Sequence, residues 1–145
     1  MQKQSVVPND ICADIPDPNP ASCASDAMWD GNWPAFFKWA EKAAANGDSV
    51  TAMWLAEEYE NPAKTSSAGK NLVLAYMWYD IAAELKAREI RRKPAASNPT
   101  FADDNQMEIN YRNSVGDQLT PSNIQRALDL EKAWFSQNQR TLRYH

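Results

Sequence analysis

The sequence predicts an all-α protein, and three of its features carry that prediction. Apolar residues recur at three-to-four-residue spacing in several segments, as on the buried side of amphipathic helices. These segments begin and end at residues that commonly cap helices, such as Asn32 ahead of Pro34, and Gly47 after Ala44. No segment shows the alternation of apolar and polar residues that a half-buried strand requires. The length of 145 residues suits one compact domain.

Residues 1–31 are interpreted as an extended N-terminal arm. Prolines at 16, 18 and 20 disfavour regular structure there. Five aspartates and one lysine lie in the arm, so it holds the whole net charge of −4. Cys12 and Cys23 are eleven residues apart, and a disulfide between them would tether the arm and indicate an oxidising compartment. Two free cytoplasmic thiols are the alternative.

Five helices are predicted between residues 32 and 137. They run from Asn32 to Ala44, from Asp48 to Tyr59, from about Asn71 to Arg91, from about Asp103 to Val115, and from Pro121 to about Gln137. Thr120 supplies a capping hydroxyl ahead of Pro121, which is a strong start signal. The proline-bearing stretch 93–104 is interpreted as a loop, and residues 138–145 as a C-terminal tail.

Two of these helices contain a repeated pattern. Trp39 with Ala43 and Ala44 matches Trp78 with Ala82 and Ala83, at an offset of 39 residues. A period of this length is typical of solenoids built from helix pairs.

The repeat leads to a family resemblance. Gly47–Tyr59 resembles the first helix of a Sel1-like repeat, and Leu74–Ala83 resembles the second, with its Ala, Trp, Tyr and Ala-Ala core. The segment Leu119–Ile124, followed by Ala127, Leu130 and Trp134, is similar to the closing helix of such proteins. The resemblance covers residues 32–137. The resemblance implies a short α-solenoid of antiparallel helix pairs, related to tetratricopeptide repeats, that binds another protein. Two features depart from the usual Sel1-like repeat: the helix continues through Ile90, and the 93–104 loop follows it. Both favour partner recognition by helix ends and loops.

Candidate partner-binding residues follow from the same resemblance. It places Ala52, Leu55, Ala56 and Tyr59 in the core and turns Val50, Met53, Glu57 and Glu60 to the concave side, with Trp54 beside them. In a protein interface, Met and Trp side chains can act as apolar anchors, and the neighbouring carboxylates can form the polar rim around them. The alternative is that Met53 and Trp54 pack under the arm. Trp29 and Trp33 are expected to anchor the arm, with ligand contact as the alternative.

A basic cluster forms a second candidate patch for an acidic partner. It consists of Arg88, Arg91, Arg92 and Lys93. The alternative is that these cations only complement the dipole at the end of a helix.

Catalytic and cofactor chemistry is not expected. The single histidine, His145, is the last residue, and the two cysteines have no histidine partners for a metal. No glycine-rich phosphate loop occurs, and we expect no cofactor. Paired carboxylates remain, namely Glu57, Glu58, Asp80, Glu84 and Glu131. They could in principle serve as acid and base, but we interpret them as solvated helix faces.

Two kinds of interaction are not expected, with nucleic acid and within a membrane. No domain-wide basic face is present, so nucleic acid is not expected, and no apolar run of about 18 residues could span a membrane. The polar start of the chain favours a protein whose leader has been removed. The cysteine pair and this polar start predict a periplasmic or secreted protein, and its resemblance to small exported Sel1-like proteins implies that it binds and occludes a toxin or hydrolase, as immunity proteins and inhibitors do. An envelope adaptor is the first alternative, and a carboxylate-dependent cell-wall hydrolase is the second.

Overall fold

The computed structural model describes residues 9–64, 66, 69–92 and 104–143, and all regular structure in them is helical. The helices are α1 (Pro20–Trp29), α2 (Trp33–Ala45), α3 (Ser49–Glu60), α4 (Leu72–Arg92), α5 (Gln106–Gly116) and α6 (Pro121–Leu142). The all-α prediction is confirmed. None of the described helices is both long and apolar enough to cross a membrane.

Local capping explains where the predicted helices begin. The side chain of Asn32 accepts a hydrogen bond from the Ala35 N–H at 3.2 Å, which starts α2. Asp48 caps α3 and Thr120 caps α6 in the same way. Each cap satisfies one of the backbone donors that a helix leaves free in its first turn. Beyond the end of α2, Gly47 has a φ of 99°, a conformation that glycine adopts without steric cost.

The extended arm predicted for residues 1–31 is wrong over Pro20–Trp29, which form α1. Asn19 accepts hydrogen bonds from the backbone N–H groups of Ala21 and Ser22, and Pro20 occupies the first turn. Proline at that position is already preorganised for a helix, so the last of the three prolines starts regular structure instead of preventing it. The buried side chains of Ala24 and Ala27 belong to the same core as those of α2.

The C-terminal tail predicted for residues 138–145 is also wrong over 138–142. There α6 continues to Leu142, which is buried with 3% exposure. The carbonyl of Leu142 accepts a hydrogen bond from the Arg92 guanidinium at 3.1 Å, so the end of α6 is held against the end of α4.

The predicted disulfide is confirmed. Cys12 and Cys23 are bonded, with a Cα–Cα distance of 5.9 Å, and both are buried. Asp10 adds a second attachment, because it accepts hydrogen bonds from Lys38 Nζ at 2.6 Å and from Trp39 Nε1 at 3.0 Å. The segment ahead of α1 is therefore fastened to both α1 and α2.

Replacing both cysteines with serine is expected to lower the free energy of unfolding by about 2–3 kcal/mol, because the unfolded chain loses a short loop constraint. Chemical denaturation with and without reductant measures this change. Wild-type protein under reducing conditions should match the double variant. If the double variant has the stability of the oxidised wild type, the disulfide does not contribute to the fold.

The core is centred on α4, which packs against α3, α5 and α6. Trp78 is 3% exposed, and its ring meets that of Trp134 edge to face, with the ring centroids 5.5 Å apart. The repeated pattern has a structural basis, since its Trp and Ala-Ala positions are buried on both α2 and α4. Small alanines let neighbouring helices approach closely while each tryptophan fills the adjoining space.

Candidate functional site

A continuous surface stripe along α3 contains part of the predicted partner-binding set. Val50 is 54% exposed, Trp54 is half-buried and Glu57 is exposed. These residues are separated by four and three positions, so they lie on one side of the helix. We call Val50, Trp54 and Glu57 the α3 face. It combines an exposed apolar residue, an accessible indole and a carboxylate.

The carboxylate of Glu57 has no cationic neighbour among the described residues. Its pKa is raised above the ordinary value, first by partial burial and then by the nearby charges of Glu60 and Glu58. Glu58 accepts a hydrogen bond from the Ala63 N–H at 3.2 Å, and its own pKa is raised by burial. This end of α3 therefore concentrates negative charge that the described part of the chain does not neutralise.

Glu60 has a structural partner. Its carboxylate accepts a hydrogen bond from the Tyr79 hydroxyl at 2.7 Å, which links α3 to α4. Burial and this bond raise the pKa of Tyr79 well above its usual range. Tyr111 on α5 stacks on the Tyr79 ring at 5.6 Å and is 46% exposed. Tyr111 is therefore an exposed aromatic ring on α5, stacked on the residue that bonds to Glu60.

Two residues of the predicted concave side differ from the expectation. Met53 is only 9% exposed and belongs to the core, because its position on α3 turns it inward. Glu60 is half-buried and bonded as described above, so it is not a free surface carboxylate.

The predicted basic patch is divided among several contacts. Arg88 and Arg91 both pair with Glu84, at 3.1 and 3.2 Å. The Arg88 guanidinium also lies 4.6 Å from the centre of the Phe135 ring, so this residue holds α6 against α4. Arg92 bonds to the end of α6. Lys93 lies outside the described residues, as does most of the predicted 93–104 loop.

A cleft of about 470 Å³ opens between α4, α5 and α6. Its apolar lining comes from Ala83, Ile109, Leu128 and Phe135, and its polar lining from Asp80, Glu84, Arg88, Asn105, Arg112, Glu131 and Lys132. No local sequence pattern indicated this cleft, because its walls come from three helices that meet only in the folded chain. We call it the α4–α6 cleft.

Two carboxyl groups in the cleft wall share a hydrogen bond. Glu131, which is 8% exposed, bonds to Asp80, whose carboxylate is also paired with Arg112 at 2.6 Å. Burial raises the pKa of Glu131 far above its ordinary value of 4.5, and the neighbouring charges of Asp80 and Glu84 raise it further. This environment therefore favours the protonated form of Glu131.

Among the described residues, no group of three or more acidic, cysteine or histidine side chains is arranged to hold a metal ion.

The two N-terminal tryptophans have opposite environments. Trp33 is 6% exposed and its ring packs edge to face against Phe36. Trp29 is 85% exposed, so the expectation that it anchors the N-terminal segment is wrong. Trp29 is the last residue of α1 and is followed directly by the turn at Asp30 and Gly31. The polar neighbours Asp26 and Asp30 were a signal that this end faces solvent.

No family model, curated protein or solved structure matches this chain, so the likeness to Sel1-like repeats rests on its sequence motifs.

Proposed function

We propose that this protein is a binding module whose α3 face receives a basic segment of a partner protein. The observation that carries the proposal is the exposed carboxylate of Glu57, which forms no ion pair within the described residues. It lies beside Val50 and Trp54, and its pKa is raised first by partial burial and then by the charges of Glu60 and Glu58. A lysine or arginine from a partner would neutralise this charge and lower the cost of holding the carboxylates together.

The apolar part of the α3 face suits the same role. Val50 and the indole of Trp54 offer an apolar anchor next to the charged group, which is the composition of a typical interface centre with a polar rim. Aromatic residues and charge complementarity together support binding to a protein surface more than binding of a small substrate.

More specifically, we propose that the protein is an inhibitor or immunity protein of Sel1-like type that acts in the periplasm or outside the cell. The disulfide supports an oxidising compartment, since such bonds persist there and are rare in the cytoplasm. The repeated Trp and Ala-Ala pattern supports a short solenoid of antiparallel helix pairs. An adaptor that organises envelope proteins would use the same face, and it would differ in the number and affinity of its partners.

A pull-down with matched variants tests the proposal. Wild-type protein, Glu57→Lys and Val50→Lys are immobilised and exposed to envelope and secreted fractions, and bound proteins are identified by mass spectrometry. Asp117→Lys is the control, because it makes the same charge change at an exposed position at the end of α5. We expect a partner that binds wild type and the control, with binding to Glu57→Lys weakened about tenfold or more.

The outcomes separate the proposals. A single secreted enzyme or toxin bound one to one, and inhibited, supports the inhibitor. Several weaker envelope partners that depend on Glu57 support the adaptor. Partners that bind Glu57→Lys and Val50→Lys as well as wild type would exclude the α3 face as the binding surface. Thermal melting of each variant checks that the fold is intact.

A further inference from the structure

We infer that this protein associates head to tail with a second copy of itself, Trp29 of one copy entering the α4–α6 cleft of the next. The inference is independent of the proposed function, because it uses neither Val50, Trp54 nor Glu57. It rests on an exposed indole, a cleft of suitable size and lining, and the charges around each of them.

Trp29 is exposed in a way that no other tryptophan of the chain is. Trp33, Trp39 and Trp78 are buried, and Trp54 and Trp134 are half-buried, whereas Trp29 is 85% exposed. Tryptophan offers a large burial area on a side chain with only two rotatable bonds, which makes it the commonest kind of interface anchor.

The position of Trp29 is rigid as well as exposed. It ends α1, which is tied through Cys23 to the segment ahead of it. After it, the Asp30 N–H donates to the Asp26 carbonyl at 3.0 Å and the Asn32 N–H donates to the Ala27 carbonyl at 2.9 Å. An anchor on a fixed backbone loses less conformational freedom on binding than one on a loose loop.

The α4–α6 cleft has the size and lining for an indole. A cavity of about 150 Å³ is enough for a benzene ring, and this cleft measures about 470 Å³. Leu128 is 37% exposed on its wall, and Phe135 and Ile109 provide further apolar contact. Because Trp29 is 85% exposed, it does not occupy the cleft of its own copy.

The charges of the two surfaces are complementary. Asp26 and Asp30 flank Trp29, both are exposed, and neither forms an ion pair within the described residues. In the cleft, Lys132 likewise has no carboxylate partner there, while Arg112 and Arg88 are paired with Asp80 and Glu84. Lys132 therefore offers a cation with which Asp26 or Asp30 of the neighbouring copy can pair when Trp29 is seated in the cleft.

The contact is heterologous, since one copy contributes α1 and the other contributes α4, α5 and α6. Such a contact is not closed by two copies, and it extends to a chain or a ring. The contact area of one tryptophan and its neighbours is small, so we expect weak association that grows with protein concentration and weakens with salt.

Sedimentation velocity on the intact, oxidised protein tests the inference. At low salt, the average mass of wild type should rise between about 1 µM and about 500 µM protein. Trp29→Ala and Leu128→Asp should each remain monomeric over this range. Val50→Lys, on the α3 face, should associate like wild type, which separates this test from that of the proposed function.

Mixing the two monomeric variants gives the sharpest result. Trp29→Ala keeps an intact cleft, and Leu128→Asp keeps an intact Trp29, so a mixture should form one-to-one dimers and nothing larger. Wild type that stays monomeric at every concentration overturns the inference. Association that persists in both variants, or a mixture that does not dimerise, also overturns it. Circular dichroism melting of both variants verifies that each is folded.

Discussion

Trp78→Ala is expected to lower the free energy of unfolding by about 3–5 kcal/mol, the usual cost of deleting a buried aromatic side chain. Trp78 is 3% exposed in the middle of α4, and its ring meets Trp134 of α6 edge to face. Removing the indole leaves a cavity at the junction of these helices and deprives Trp134 of its ring partner. Urea denaturation followed by far-ultraviolet circular dichroism measures the change.

Trp29→Ala is the matched control for this experiment. It removes the same side chain from a position that is 85% exposed, so the change in stability should be within about 0.5 kcal/mol. A Trp78→Ala variant that is as stable as Trp29→Ala would mean that the register of α4 is wrong. The measurement is made at low protein concentration, so that self-association does not contribute to stability.

The free energy of unfolding is expected to fall as the pH rises, in part because of Glu131. Its pKa in the folded protein is raised far above 4.5 by burial and by Asp80 and Glu84, with Arg112 acting in the opposite direction. Above pH 4.5 the unfolded chain has released this proton while the folded protein still holds it. Unfolding then releases a proton, so raising the pH favours the unfolded state, by up to about 1.4 kcal/mol per pH unit.

Glu131→Gln isolates this contribution. An amide can still donate a hydrogen bond to Asp80, but it does not titrate, so the variant should lose much of the decline in stability between pH 5 and pH 8. At pH 8 it should be about 1–3 kcal/mol more stable than wild type. Asp129→Asn is the control, because it changes an exposed carboxylate on the same helix and should leave the pH dependence unaltered. Identical pH profiles for wild type and Glu131→Gln would show that Glu131 does not hold the proton.

Most of the helices could be predicted from the sequence because their signals are local. Capping by Asn32, Asp48 and Thr120 depends on side chains within three residues of the helix start, and each was recognisable from its neighbours. The first helix was missed for a related reason. Three prolines suggested irregular structure, and the preference of proline for the first turn of a helix was not applied to Pro20.

The candidate surfaces could be predicted only in part. The resemblance placed Val50, Met53, Glu57 and Glu60 on one side of α3 with Trp54 beside them, whereas Met53 turns into the core. That outcome depends on how closely α3 approaches its neighbours. The pairing of Arg88 and Arg91 with Glu84 follows helical spacing, while the contact of Arg88 with Phe135 depends on the packing of α6.

The helical class, most of the helix ends and the disulfide between the two cysteines could be predicted from the sequence alone. These features depend on residues that are near one another in the chain. The proximity of Glu131 to Asp80 and Arg112 in a cleft depends on the tertiary packing. The same is true of the exposure of Trp29 and the burial of Trp33. The pKa of Glu131 and the exposure of Trp29 depend on which helices surround them. Those neighbours are set by packing between residues far apart in sequence, which no local pattern records.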